Sequence, residues 1–311
     1  MNSILETIEL LWAKMRELQP MNEEFERNLD KKVRLEINYN SNHIEGNTLT
    51  YSETKLLLFF DKTTGNHELR EYEEMKAHDV ALKLIKELAR EPGRPLTETD
   101  IKNLHKILLV RPFYKEAVTG NRQSTRRLID VGDYKKYPNS ALLQNGEIFH
   151  YSSPEQTPMK MGELMEWFRT EEENGALHPV ELAAQFHYRF VRIHPFDDGN
   201  GRLSRLLMNY ILFKIGLPPA IIRTDDKKNY LFALNQADSG DLPSFVDYIG
   251  RCVISSLELS IKAANGESLE EDDDMQKEIR IWKRGAKSQK IDAPHRSDTF
   301  VFELFYEGSF Q

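Results

Sequence analysis

The chain has one cysteine, Cys252, in 311 residues, so no disulfide can form within it and no cysteine-rich zinc site can be built. Long apolar runs are missing too: no stretch of eighteen apolar residues occurs, and no membrane-spanning helix is expected. Positive charge is in deficit. Lys and Arg number 42 against 50 Asp and Glu, and the net charge of −8 gives no whole-chain attraction to nucleic acid or to an anionic membrane. No GxxxxGK[ST] loop is present, which excludes ordinary P-loop chemistry. The opening residues, MNSILETIELLWAKM, carry acid and a helical apolar period, unlike the basic start and pure apolar core of a signal peptide. The cytoplasm is the expected compartment.

Hydrophobic residues at 40% and charged residues at 30% suit a globular core. Apolar residues recur at three- and four-residue intervals through nearly every long segment, and this period predicts helices over 4–15, 33–45, 51–60, 68–89, 97–110, 160–172, 179–193, 202–215, 229–237 and 242–264. Pro20 closes the first, and Gly46 stands at the C′ position of the second. An all-α fold follows. The exception is 126–151, where Leu128, Ile129 and Val131 on one side and Ile148 and Phe149 on the other bracket a polar stretch. This predicts one short hairpin with a long tip. After Ala264 the composition turns acidic (GESLEEDDD) and then basic (KEIRIWKRGAKSQK); a strand or docking helix around 299–306 receives no function. The expected organisation is an N-terminal helical region (1–94), a core (95–255), and a C-terminal helix, acidic linker and tail (256–311).

The stretch VRIHPFDDGNGRLSR, 191–205, concentrates chemistry. His194 can exchange a proton near neutral pH, and Asp198 is a hard oxygen ligand suited to Mg²⁺. Gly199, Asn200 and Gly201 form a turn whose successive N–H groups can cradle an anion, at the start of a helix whose dipole favours the same anion. Arg202 and Arg205 share a face of that helix and make a clamp for a polyphosphate. Residue types alone leave other readings open. His178, His187, His194, Asp197 and Asp198 resemble the ligand set of a metal-dependent phosphohydrolase, and a non-catalytic nucleotide-sensing module would use the same pocket. A damaged dinucleotide fingerprint fits less well, since Ser204 stands where the third glycine belongs and a helix precedes the turn. His187 lies on the core face of its helix and reads as packing.

His194 to Arg205, HPFDDGNGRLSR, matches every fixed position of HxFx[D/E]GNGRxxR, the signature of the Fic (filamentation induced by cAMP) family, which the chain resembles from about residue 95 to about 251. The resemblance implies a helical bundle with a small β-hairpin flap, and a protein adenylyltransferase that moves AMP from ATP to Ser, Thr or Tyr hydroxyls. It implies His194 as general base and Asp198 as Mg²⁺ ligand. Gly199, Asn200, Gly201, Arg202 and Arg205 would hold the phosphates, and Phe196 would anchor the loop. Asn229 and Tyr230 fall where family members hold the base, although Leu231 replaces the second tyrosine of the usual pair. Thr119-Gly120-Asn121-Arg122 is similar to the GxxR element before the flap, and the hairpin in 126–151 would hold the target protein. Upstream, Ser41-Asn42-His43-Ile44-Glu45-Gly46 resembles the inhibitory motif [S/T]xxxE[G/N], with Ser41, Glu45 and Gly46 at its fixed positions. A glutamate in a last helical turn has the wrong sign for the dipole and needs a cation; the resemblance names Arg205. Pairing of two copies and removal of AMP by the same site are further expectations from the resemblance.

Overall fold

The computed structural model describes residues 3–118, 124–142, 148–269 and 303–304. Among them each predicted helix is present: α1 (Ser3–Glu17), α2 (Glu23–Ile44), α3 (Tyr51–Phe60), α4 (Leu69–Arg90), α5 (Glu98–Leu109), α6 (Thr157–Asn174), α7 (Pro179–Ile193), α8 (Asn200–Lys214), α9 (Lys227–Asp238) and α10 (Leu242–Ala264). Their starts follow local chemistry. Thr50 with Glu53 and Thr97 with Asp100 form capping boxes, and Pro179 opens α7 behind His178, whose side chain accepts from the Val180 amide, so orphan N–H groups are satisfied. Helix α2 begins ten residues earlier than its apolar period suggests. Asn22 accepts from the Glu24 amide, and Glu23, Glu24 and Glu26 fill the first turn, where acid complements the dipole.

Helix α8 is the axis of the bundle. Twelve of its fifteen residues are buried, so it is surrounded on every side: α7 packs along it, and α4 and α5 lie against it. Phe186 and Phe190 of α7 and Leu203, Leu207 and Met208 of α8 have no exposed surface; each such side chain contributes about 1.5–3 kcal/mol through burial. Helix α10 closes the bundle against α1, α7 and α9.

Helix α2 carries the upstream motif, and polar contacts fix its position. Arg34 donates to both oxygens of Asp79, Nε to Oδ1 at 2.6 Å and Nη2 to Oδ2 at 2.7 Å. Asn38 Nδ2 donates to Asp79 Oδ1 at 3.1 Å, and Asn38 Oδ1 meets His78 Nδ1 at 2.7 Å. At the far end the Thr224 amide donates to Asn40 Oδ1 at 2.9 Å, and Lys227 Nζ caps the Ile44 carbonyl at 2.7 Å. Buried polar groups with this many partners define one register.

The 126–151 region differs from the single hairpin expected. Strand β1 (Phe113–Val118) pairs antiparallel with β2 (Ser124–Ile129), and β3 (Ser140–Leu142) pairs antiparallel with β4 (Ile148–His150); β5 (Glu303–Leu304) lies on the other side of β3. Two hairpins thus replace one. Strand β2, which carries Leu128 and Ile129, finds its partner across the five-residue connection from Phe113–Val118, a shorter loop to close than the one reaching Ile148. The Thr119–Arg122 element, the acidic–basic tail from residue 270 on and most of 299–306 lie outside the described residues. No described helix is long and apolar enough to cross a membrane.

Three buried histidines make a pH dependence. Burial pushes His78 and His187 down to about 3 and His105 down to about 4, against an ordinary value of about 6.5. Between those values the unfolded chain binds protons that the folded one does not. Stability from this source is therefore complete above about pH 6.5 and declines as pH falls toward 4, by up to about 1.4 kcal/mol per pH unit for each histidine. Urea unfolding at pH 7.5 and pH 5 checks this, with a lower free energy expected at pH 5; equal values would contradict it.

Candidate active site

Helix α7 ends at His194, whose left-handed backbone (φ 51°) turns the chain while its amide donates to the Phe190 carbonyl at 3.0 Å. A non-glycine residue in this conformation is held by its surroundings. The imidazole is buried and stacks on Tyr151, with ring centroids 4.0 Å apart. The loop beyond is fastened from both sides. Phe196 has no exposed surface and stacks 3.9 Å from His105. Asn200 closes the turn on itself, accepting from the Phe196 amide at 3.0 Å and donating to its carbonyl at 2.8 Å. Its side-chain amide is therefore committed to loop geometry.

The segment between the hairpins supplies the outer fastening. Lys135, almost wholly buried, donates through Nζ to the Ile193 carbonyl at 3.1 Å and through its amide to Pro195 at 2.9 Å. Its cation lies at the negative end of α7. Asn139 Nδ2 donates to the Phe196 carbonyl at 2.9 Å. Across the loop, His105 accepts from the Gly132 amide through Nδ1 at 2.9 Å, so it carries its proton on Nε2 and donates it to the Asp198 carbonyl at 3.0 Å.

The two adjacent aspartates differ. Asp197 is buried on Arg127, and burial pushes its pKa up despite that cation and Lys135. At Asp198 burial also raises the pKa, but Lys115, Arg202 and the Gly199 amide outweigh it and hold the carboxyl below its ordinary range. Asp198 Oδ1 accepts from the Gly199 amide at 2.6 Å, and Oδ2 faces Lys115 Nζ at 3.3 Å.

Helix α8 then begins beneath Glu45. Arg205 is buried; its Nε donates to Ser41 Oγ at 3.0 Å, and its Nη2 donates to the Ser41 carbonyl at 2.9 Å and to Glu45 Oε1 at 2.8 Å. A Cβ on Gly201 would stand 2.2 Å from Glu45 Oε1, so the carboxylate rests on the bare first turn of α8. Burial opposes ionisation of Glu45, but the charge and hydrogen bond of Arg205, with Arg202 behind, hold its pKa below the ordinary value. Gly46 follows with φ 100°, the left-handed C′ position expected of it. Arg202 pairs through Nη1 with Glu74 at 3.3 Å, while its buried Nε has no hydrogen-bond partner among the described residues.

Other sequence-predicted residues lie apart from this centre or behind it. His187 is buried, meeting Ser204 Oγ at 3.2 Å and the Tyr230 hydroxyl at 3.1 Å. Tyr230 is itself buried, and Asn229 is exposed and bonds Asp226 at 2.6 Å. His178 caps α7 and meets Glu9. The ligand set imagined for a phosphohydrolase does not converge, and no three His, Cys, Asp or Glu side chains among the described residues are arranged to hold a metal. Lys115, Arg127, Lys135, Asn139, Tyr151, His105 and Glu74 were not legible as site residues, since only their place in the fold brings them to the loop.

With the fold and loop in view, the comparisons with known proteins agree. The model of the Fic/DOC family matches residues 95–212. A solved Fic-domain-containing signaling protein from Bacteroides thetaiotaomicron is 47% identical and superposes with a TM-score of 0.79, covering 86% of this chain and 99% of that one. Fic-1 from C. elegans is 26% identical with a TM-score of 0.68, covering 84% of this chain and 71% of that one. The protein adenylyltransferase Fic of Nematostella vectensis is 35% identical over 214 residues, 69% of this chain and 45% of that protein, and the Drosophila melanogaster one 31% over 273 residues, 87% and 50%. The chain belongs to the Fic/DOC family. It spans about half the length of the curated relatives it matches.

The two glycines of the turn separate backbone need from space. Gly199 has φ 77°, and a Cβ there would meet Leu109 at 3.2 Å, so Gly199→Ala should cost about 1–2 kcal/mol. Gly201 is helical; alanine there gains about 0.5–1 kcal/mol of propensity, while the displaced Glu45, already 37% exposed, regains water and Arg205 keeps its two hydrogen bonds to Ser41. Gly201→Ala should therefore displace Glu45 yet melt within a few degrees of the wild type. Thermal unfolding of the two variants checks the difference, and equal destabilisation would refute it.

Proposed function

We propose that the protein is an adenylyltransferase of the cytoplasm that transfers AMP from ATP to a hydroxyl of a target protein and restrains itself through Glu45. The observation that carries this reading is a carboxylate seated on Arg205 against the bare first turn of α8, a place built for an anion. The names of the curated relatives support the same chemistry.

Under this reading Arg205, freed of Glu45, and Arg202, with its unused Nε, take the β- and γ-phosphates. The α8 N-terminus lies under the α-phosphate. His194 accepts the proton of the target hydroxyl as its oxygen attacks the α-phosphorus; the new P–O bond forms as the bond to pyrophosphate breaks. Asp198, ionised and with Oδ2 directed toward a cation, fits Mg²⁺, which when bound would neutralise phosphate charge. Asn229, now bonded to Asp226, and Tyr230, now buried on His187, would turn toward the base in this scheme. Strand β4 is an edge of its sheet, and a target backbone added beside it would bring its hydroxyl toward His194 with little sequence demand. The Glu45 carboxylate would also orient a water against an AMP-modified hydroxyl, the basis for AMP removal.

α-Labelled ATP tests the assignment. The wild type should label protein weakly, and His194→Ala should lower the rate by about 10²–10⁴-fold with its fold intact. Saturable ATP binding without pyrophosphate release would instead make the pocket a nucleotide sensor, and release of orthophosphate with no labelled protein would make it a hydrolase.

A further inference from the structure

The β1–β2 hairpin reaches the catalytic loop with two cations side by side. Lys115 and Arg127 are direct cross-strand partners, so their side chains leave the same face of the hairpin. They meet the two consecutive carboxylates of the loop, Arg127 on Asp197 and Lys115 on Asp198. The two contacts are unlike. The side chains of Arg127 and Asp197 are 10% and 5% exposed, a closed pair that anchors the hairpin. Those of Lys115 and Asp198 are 38% and 21% exposed, with 3.3 Å between Nζ and Oδ2, longer than the 2.7–2.9 Å usual for a charge-assisted bond. Since the Gly199 amide takes Asp198 Oδ1, Oδ2 is the oxygen left to serve a cation, and Lys115 lies against it.

We propose that Lys115 is a displaceable counter-ion of the cation site: it neutralises Asp198 until a divalent cation arrives, then gives way, and so sets how tightly that cation binds. Arg127 keeps the lysine within reach. This inference rests on the reading of Asp198 as the cation ligand. A monovalent ammonium in contact with the same oxygen both competes with a divalent ion and repels it, and the partly exposed contact keeps the cost of displacement small. The role lies outside the loop motif, because it depends on strand register.

Mn²⁺, titrated into the full chain held in excess over a non-hydrolysable ATP analogue and followed by the electron paramagnetic resonance of the free ion, reads this out without turnover, since one carboxylate needs phosphate oxygens beside it to hold a divalent ion. Lys115→Met keeps the stem and removes the charge; it should bind Mn²⁺ about two- to fivefold more tightly than the wild type, the range set by the worth of an exposed lysine–carboxylate pair. Lys115→Gln provides the same test should the methionine variant fold poorly, and Lys115→Arg should stay near wild-type affinity. Asp198→Asn should lose the site. Unchanged or weaker binding in Lys115→Met and Lys115→Gln, with Asp198→Asn inactive toward Mn²⁺, overturns the lysine's role alone. Wild-type binding by Asp198→Asn overturns the reading of Asp198, and the inference with it.

Discussion

The ion pair between Arg205 and Glu45, 2.8 Å long and spanning 160 residues of sequence, is the constraint around which the rest is arranged. A glutamate closing a helix faces the negative end of that helix's dipole, an unfavourable place. Here the same carboxylate lies on the first turn of α8, the positive end of a second helix, so the conflict in α2 is resolved by its neighbour. Ser41, one turn before Glu45, accepts two further hydrogen bonds from the same guanidinium. Lifting Glu45 away breaks one of these three hydrogen bonds and leaves the guanidinium held on Ser41.

Such a contact is specific only if its two helices cannot slide. Helix α8 is immobilised by a core on every side. Helix α2 is fixed by charge and hydrogen bonding, through Arg34 on Asp79, Asn40 under Thr224 and Lys227 on its last carbonyl. Each is a buried or half-buried polar contact that costs free energy when broken. The loop between α7 and α8 follows the same logic: Lys135, Asn139 and His105 hold its backbone carbonyls, while its own Phe196, Asp197 and Asn200 side chains pin it to His105, Arg127 and itself.

Much of this could be read in the sequence, for stated reasons. The ten helices show because each has an apolar face of helical period, and the chemistry of His194, Asp198, Arg202 and Arg205 shows because it is contiguous. The link from Glu45 to Arg205 came from a motif resemblance together with the dipole argument, which demanded a cation without naming one. The early start of α2 was hidden because its first turns are charged and exposed, leaving only a cap to mark it. The hairpins were misdrawn because a strand's partner is chosen by register and loop length, neither of which is visible in one strand. For the same reason Lys115 and Lys135 look like surface lysines until the fold brings one to Asp198 and buries the other.

The proposed restraint requires that Glu45 keep the triphosphate out of line. The most direct measurement is the initial rate of AMP transfer from α-labelled ATP by wild type and Glu45→Gly under identical conditions. Since misplacement by about 1 Å costs on the order of 10²-fold in rate, the variant should transfer AMP faster by roughly that factor. Equal rates from two folded proteins would show that the carboxylate on Arg205 does not control the site.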